Sequence, residues 1–303
     1  MSSANIVVLG SSNTDMVVKA AHLPAPGETI LGGQFFMVPG GKGANQAVAA
    51  ARSRSSVAFI AKVGTDIFGQ QAIAHYQQEG ILVDTIFQDE ENPSGIALIS
   101  VDAKGENCIL VAPGANATLT PKELQSVKNT IISGNVLLMQ LEIPIEIIEQ
   151  AIDVAVQHDT KIILNTAPAQ ALSDQLLQQV DILILNTSEA QFYTGITIGN
   201  WEEAALAADY LYQKCPGIII ITLGAKGSLL KEKDNYIQIP AEEVNAVDST
   251  AAGDTFCGVL AACVAKEMSI VDAVKLASKA AAISVTRMGA QTSIPFWQEY
   301  NIL

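Results

Sequence analysis

The sequence predicts an α/β protein with a doubly wound, mostly parallel sheet flanked by helices and a small β-sheet lid. Three observations carry that expectation. The opening run Ile6-Val7-Val8-Leu9 is continuous and apolar, as a strand buried on both faces requires. From residue 121 onward helical and strand patterns alternate regularly, which implies right-handed crossovers between parallel strands. Residues 15–38 and 93–112 break that rhythm with short strands punctuated by Pro and Gly.

The elements follow in order. After strand 6–9, which ends at Gly10, Met16 to Ala20, Thr29 to Leu31 and Phe35 to Val38 read as short strands separated by Pro24, Pro26, Gly27, Gly32 and Gly33. Residues 44–54 form a helix with Ala47, Val48 and Ala51 on one face, followed by strand 57–63 and helix 66–78. Ser94 to Val101 and Glu106 to Val111 flank the polar turn Asp102-Ala103-Lys104-Gly105 of a hairpin. Then come helix 121–129, strand 136–139, helix 146–158, strand 161–164, strand 181–185, helices 188–194 and 201–214, strand 218–222, and helices at about 252–266 and 270–287. One domain over 1–303 is expected, its lid formed by about 13–37 and 93–112. A few short strands cannot bury both faces alone, so these must cover a ligand cleft, a partner subunit or both.

Composition narrows the function. The chain is 49% apolar and 16% charged, which places it among well-packed globular proteins. Its net charge of −14 leaves no basic face for nucleic acid, and a phosphate ligand would have to be met by backbone N–H groups, a few cations or bound metal. The four cysteines form no C-x-x-C pair and the three histidines lie far apart, so reduced thiols and no His-rich metal site are expected. No stretch approaches the roughly 20 apolar residues of a membrane span, and no basic segment precedes the first strand. A cytoplasmic protein without a membrane partner is the expectation.

Candidate site residues gather at strand ends. Pro39-Gly40-Gly41-Lys42-Gly43-Ala44-Asn45 joins a strand to a helix but matches neither G-x-x-x-x-G-K-[ST] nor G-x-G-x-x-G. It reads either as an ordinary turn or as a ligand loop in which Lys42 and Asn45 donate to hydroxyls. Asn13 and Asp15, two apart on an extended chain, point the same way and suit sugar hydroxyls; an Asx turn is the alternative. Glu142 closely follows strand 136–139.

The segment Asp248-Ser249-Thr250-Ala251-Ala252-Gly253-Asp254 opens a helix that is apolar almost all round and so must be buried. Its first-turn N–H groups have no intrahelical partner, and small side chains let an anion reach them. Acids favour helix starts in any case through the dipole. Here the same carboxylate beside an anion hole supplies what phosphoryl transfer needs: a proton acceptor and stabilisation of the equatorial oxygens.

Asn13-x-Asp15, Gly40-Gly41-Lys42-Gly43-Ala44-Asn45-Gln46-Ala47, Asn186-x-x-Glu189, Thr222-Leu223-Gly224-x-x-Gly227 and Asp248-x-Thr250-Ala251-Ala252-Gly253-Asp254 occur in this order. Together they resemble the ribokinase (PfkB-type) family of carbohydrate kinases over essentially the whole chain, and Val285-Thr286-Arg287-Met288-Gly289-Ala290-Gln291 strengthens the likeness. The resemblance implies transfer of phosphate from ATP to the 5-hydroxyl of D-ribose. Asn13, Asp15, Gly41, Lys42, Gly43, Asn45 and Glu142 would hold the sugar. Asp254 would be the general base, with Ala251, Ala252 and Gly253 as the anion hole. Asn186, Glu189, Thr222, Gly224, Gly227, Gly253 and Ser278 would serve the nucleotide, with Glu189 near Mg2+. Asp248, Thr250, Ser284, Arg287, Gly289 and Ser293 would hold an activating K+. The lid would also form a homodimer contact. The chain departs from the family pattern at Ala251, where many members have Gly, and at Ser278, where some have His near the adenine. A kinase of 2-deoxyribose, another sugar or a nucleoside such as adenosine, and a sugar-binding sensor without chemistry, are the alternatives.

Overall fold

Residues 4–301 are described by the computed structural model. The first part of the chain runs β1 (Ile6–Leu9), β2 (Asn13–Lys19), β3 (Gln34–Gly40), α1 (Lys42–Arg52), β4 (Val57–Gly64), α2 (Ile67–Gln78), β5 (Ile86–Asp89), β6 (Gly95–Val101) and β7 (Asn107–Ala112). The middle runs α3 (Pro121–Ser126), α4 (Lys128–Ser133), β8 (Val136–Met139), α5 (Ile145–Val156), β9 (Lys161–Asn165), α6 (Asp174–Leu177), β10 (Ile182–Asn186) and α7 (Thr187–Thr194). The last part runs α8 (Trp201–Lys214), β11 (Ile218–Thr222), β12 (Ser228–Glu232), β13 (Asn235–Ile239), α9 (Ala252–Ala265), α10 (Ile270–Ser284) and α11 (Trp297–Tyr300).

The main sheet has nine strands in the order β13-β12-β11-β10-β9-β8-β1-β4-β5. β5, β4, β1, β8, β9, β10 and β11 pair in parallel. Every residue of β1 is buried, as its apolar run requires. Ile6 and Val8 pack into a core shared with α1, α9 and α10, while Val7 and Leu9 pack on the opposite face with α5 and α8. Alternate residues of one strand thus feed two cores.

α9 lies against both α1 and α10, which explains its apolar girth. Close approach to α1 depends on Gly258, where a Cβ would lie 2.4 Å from the Gln46 carbonyl oxygen. This holds the start of α9 beside the start of α1.

The second sheet has the order β3-β2-β6-β7, with β2 antiparallel to β3 and parallel to β6. Its register places Asn13, Asp15 and Val17 on one face and Met16 and Val18 on the other. On that second face Met16, Met37, Leu98 and Leu110 form one cross-strand row, and Val18 and Phe35 belong to the next. Leu110 is 69% exposed and Phe35 59%, so this face is an open apolar surface.

Several elements differ from expectation. Thr29–Leu31 is not a strand: the preceding prolines cannot donate to a ladder, and Gly27, Gly32 and Gly33 adopt positive φ. Helix 121–129 breaks at Val127 (φ −111°, ψ 11°) into α3 and α4. The helix expected over 270–287 ends at Ser284, and residues 285–287 continue as a turn. β5, α6, α11 and the antiparallel β12–β13 hairpin at the sheet edge were not anticipated.

Candidate active site

Strand order sets the location. From β1 the sheet grows one way through β4 and β5, and the other way through β8 to β11. The point where order reverses, between β1 and β8, leaves a crevice at the carboxyl ends of the strands. Ser11 to Asp15 leave β1 there, and Gln140 to Glu142 leave β8.

The loops beyond these strands hold one another. Ser11 Oγ donates to Glu142 Oε2 at 2.5 Å, and the Lys42 N–H donates to the same oxygen at 3.1 Å. Asn116 accepts from the Ser12 N–H at 2.9 Å and donates to Asn13 Oδ1 at 2.8 Å. Gly41 enters α1 at φ 89°, and a Cβ there would lie 2.7 Å from the Asn13 nitrogen, so only glycine fits. Asn13, Asp15, Asn45 and Asp254 are all buried. Burial, and then the nearby charges of Glu142 and Asp254, push the Asp15 carboxyl up to about 7, with Lys42 pulling the other way.

Asp254 sits in the first turn of α9 and accepts from Asn45 Nδ2 at 2.9 Å and Gln46 Nε2 at 3.0 Å. No side chain caps this helix. The Ala252 N–H bonds Ser249 O at 3.3 Å, and among the described residues no acceptor meets the N–H groups of Gly253 and Asp254. A Cβ built on Gly253 would meet nothing within 4 Å, so the turn faces open space. Ala251 takes the left-handed conformation (φ 59°, ψ 12°), a strained geometry for a residue with a Cβ.

Next to this turn lies a cleft of about 210 Å³ lined by Lys42, Asn165, Asn186, Glu189, Thr222, Gly253, Asp254 and Cys257. Burial works against a charge on Lys42, but Asp254, Glu142 and Glu189 outweigh it and hold its pKa above the ordinary value. Asn186 and Glu189 form a capping box at the start of α7, with Glu189 N donating to Asn186 Oδ1 and Asn186 N to Glu189 Oε2, both at 2.9 Å. Burial lifts the Glu189 carboxyl above its ordinary value, against the Asn186 N–H and the Lys42 charge.

A second loop pair adjoins the turn. Asp248 Oδ1 accepts from the Thr250 N–H (2.9 Å) and hydroxyl (2.6 Å), and Asp248 Oδ2 accepts from the Gly289 N–H at 2.9 Å. Val247 and Asp248 N–H groups both donate to Val285 O. Burial raises the Asp248 carboxyl, but the Thr250 hydroxyl and the Gly289 and Thr250 N–H groups outweigh it and leave the pKa below the usual range. Ser284 ends α10, and its carbonyl accepts from the Arg287 N–H at 3.0 Å. Ser293 closes the following turn onto Ala290 O. Asp248, Thr250, Ser284, Arg287 and Gly289 are thus drawn together by short-range bonds across two loops.

Other expected residues fall differently. Gly224 and Gly227 shape the β11–β12 turn, in which the Leu223 N–H donates to Gly227 O, and only Thr222 of that motif lines the cleft. Ser278 lies midway along α10, outside the cleft lining. Gly43 packs tightly on the Gly10–Ser11 backbone. Sequence reasoning missed Asn165, which ends β9 in the cleft, and gave no role to Gln46, which binds Asp254 directly. The only sequence signal for Gln46 was its place beside Asn45 in a glycine-rich strand–helix junction.

Residues 3–297 match the model of the pfkB family of carbohydrate kinases. The chain is 41% identical over 294 residues to a ribokinase of Haemophilus influenzae, covering 97% of this chain and 96% of that protein. It is 35% identical over 298 residues to a deoxyribokinase of Salmonella typhimurium, covering 98% and 97%. The solved structure of an Arabidopsis thaliana ribokinase complexed with ribose and ATP superposes with a TM-score of 0.89 at 27% identity, covering 99% and 98%.

Proposed function

The chain belongs to the pfkB family of carbohydrate kinases, and from that premise we propose that it transfers the γ-phosphoryl group of ATP to the 5-hydroxyl of D-ribose, giving D-ribose 5-phosphate. One observation carries this reading. A buried carboxylate, Asp254, opens an uncapped helix turn whose free N–H groups face a cleft at the switch point of the sheet.

Asn13, Asp15, Gly41, Gly43, Asn45 and Glu142 hold the sugar between the second sheet and the start of α1. Asp254 takes the proton of the ribose 5-hydroxyl as that oxygen attacks the γ-phosphorus, and the bond to the leaving ADP oxygen breaks with its electron pair going to ADP. The free Gly253 N–H meets the charge on the equatorial oxygens with the Ala251 N–H beside it, and the Ala252 N–H joins them on giving up its 3.3 Å bond to Ser249 O. The Lys42 side chain, lying in the cleft with Glu189 and Thr222, offsets phosphate charge as well as orienting the sugar. Gly224 and Gly227 set the turn beneath the nucleotide, and Ser278 belongs to its outer margin.

Two metals fit the residues present. The Glu189 carboxylate faces the cleft with lone pairs left after its capping bonds, and with Asn186 it would hold Mg2+, which neutralises phosphate charge. Asp248 clips together loops carrying Thr250, Ser284, Arg287, Gly289 and Ser293. The Asp248 carboxylate, with backbone carbonyls of these loops, would supply oxygen ligands to a monovalent cation, K+.

The second sheet acts as a lid over the sugar, and its exposed apolar row serves a homodimer contact. No described helix is long and apolar enough to cross a membrane, in keeping with a cytoplasmic enzyme. The deoxyribokinase relative favours 2-deoxyribose as the second reading. An acceptor panel with ATP and Mg2+, with and without K+, separates them. Ribose should give the highest kcat/KM, and K+ should raise it. Turnover of 2-deoxyribose or adenosine without ribose would overturn the first reading.

A further inference from the structure

Asp254 is held by more than its two direct partners. Gln46 gives Nε2 to Asp254, and its Oε1 accepts from Gln140 Nε2 at 2.6 Å. Asn45 gives Nδ2 to Asp254, and its Oδ1 accepts from Gln291 Nε2 at 3.1 Å. Gln291 Oε1 in turn pairs with His75 Nε2 at 2.8 Å. Asn45, Gln46, Gln140 and Gln291 are each at most 5% exposed.

The direction of these bonds follows from chemistry. An ionised carboxylate only accepts, so both amides beside Asp254 must turn their NH2 groups toward it. Each then presents a buried carbonyl oxygen that needs a donor of its own, and Gln140 and Gln291 supply it. Gln140 does so at a cost: its own Oε1 has no partner among the described residues and lies so close to Gly10 that a Cβ there would collide with it. A side-chain oxygen left unpaired, packed against an obligatory glycine, marks a geometry kept for the direction of the chain.

We propose that two one-way amide chains, Gln140–Gln46 and Gln291–Asn45, converge on Asp254, and that Gln140 and Gln291 are positioning residues for the base. The chains differ in one respect. The Gln46 branch reaches the base and, through Nε2 to Asn165 Oδ1 at 3.2 Å, the cleft wall, but no sugar residue, whereas the Asn45 branch also orients an amide assigned to the sugar. Gln291 belongs to the turn between Gly289 and Ser293, so this branch also ties the proposed cation loop to the base. The proposal rests on Asp254 being the base.

The test is steady-state kinetics of Gln140→Met and Gln291→Met beside Asp254→Asn, each checked for folding by circular dichroism and thermal unfolding. The acceptor is whichever sugar the wild type phosphorylates, so failure of ribose as the substrate leaves this test standing. Gln140→Met should lower kcat about tenfold with the sugar KM unchanged. Gln291→Met should lower kcat to a similar extent and raise the sugar KM about tenfold, with the ATP KM unchanged in both. If Gln291→Met does not fold, Gln291→Asn, which keeps the amide and shortens its reach, carries the same expectation. Folded variants with wild-type kcat and sugar KM, or the same kinetic pattern in both branches, would overturn the proposal. Wild-type kcat in Asp254→Asn would instead remove the base reading beneath it.

Discussion

Replacing Asp15 by Asn should stabilise the sugar-free protein at alkaline pH while removing a proposed sugar contact. The Asp15 carboxyl is buried and its pKa rises from 3.8 to about 7, chiefly through burial and then through the charges of Glu142 and Asp254. A group raised in the folded state binds its proton more tightly there than in the unfolded chain. Its stabilising protonation is fully present below pH 3.8 and is lost as pH climbs through the folded value, so stability falls across this window. The full span, 7 minus 3.8, corresponds to about 4 kcal/mol at 1.36 kcal/mol per unit. From pH 5 to pH 8 the share of Asp15 alone falls by about 2–3 kcal/mol. Denaturant unfolding of wild type and Asp15→Asn at pH 5, 6, 7 and 8, without ligand, measures that difference directly. The wild type should lose about 2–3 kcal/mol more than the variant over this range. Parallel stability curves would refute the reasoning, because they would mean that Asp15 ionises in the fold as easily as in the unfolded chain. Isothermal titration should in the same variant show ribose binding weakened at least tenfold.

Two further predictions concern other parts of the molecule. Ala251→Gly should raise stability by about 0.5–1 kcal/mol at unchanged kcat, since it relieves a left-handed Ala at some cost in unfolded-state entropy; a loss of stability in thermal unfolding would show the strain to be illusory. Leu110→Lys places a charge in the exposed apolar row of the second sheet, and sedimentation should show the proposed dimer shifting toward monomer, whereas a variant that associates as the wild type does would place the contact elsewhere.

Much of the main sheet was legible because its strands are buried on both faces. Ile6-Val7-Val8-Leu9 and Ile218-Ile219-Ile220-Ile221 can be little else once helical patterns intervene. The β12–β13 hairpin was not legible. Its strands carry Lys231, Glu232 and Gln238, and the buried Lys231 is satisfied by Asp209, remote in sequence, at 2.8 Å and by the Tyr236 hydroxyl at 3.1 Å. The site divides in the same way. Asn13, Asp15, Asn45 and Asp254 belong to short local patterns, and the structure brings them together. The roles of Gln46, Gln140 and Gln291 rest on pairings between side chains 94 to 246 residues apart, which no local spacing can encode. The strain at Ala251 was equally hidden, because it is a backbone torsion rather than a residue preference.

Whether Asp254 removes the proton from the sugar hydroxyl is decided by Asp254→Asn. Asn keeps the size of the side chain and its carbonyl oxygen can still accept from one of the two amides of Asn45 and Gln46, but it cannot take a proton. Steady-state turnover with saturating ribose and ATP, together with ribose binding by calorimetry, should show kcat lower by roughly 10²–10⁴-fold and ribose affinity within a few-fold of wild type. A variant that binds ribose normally and retains near wild-type kcat would contradict the account.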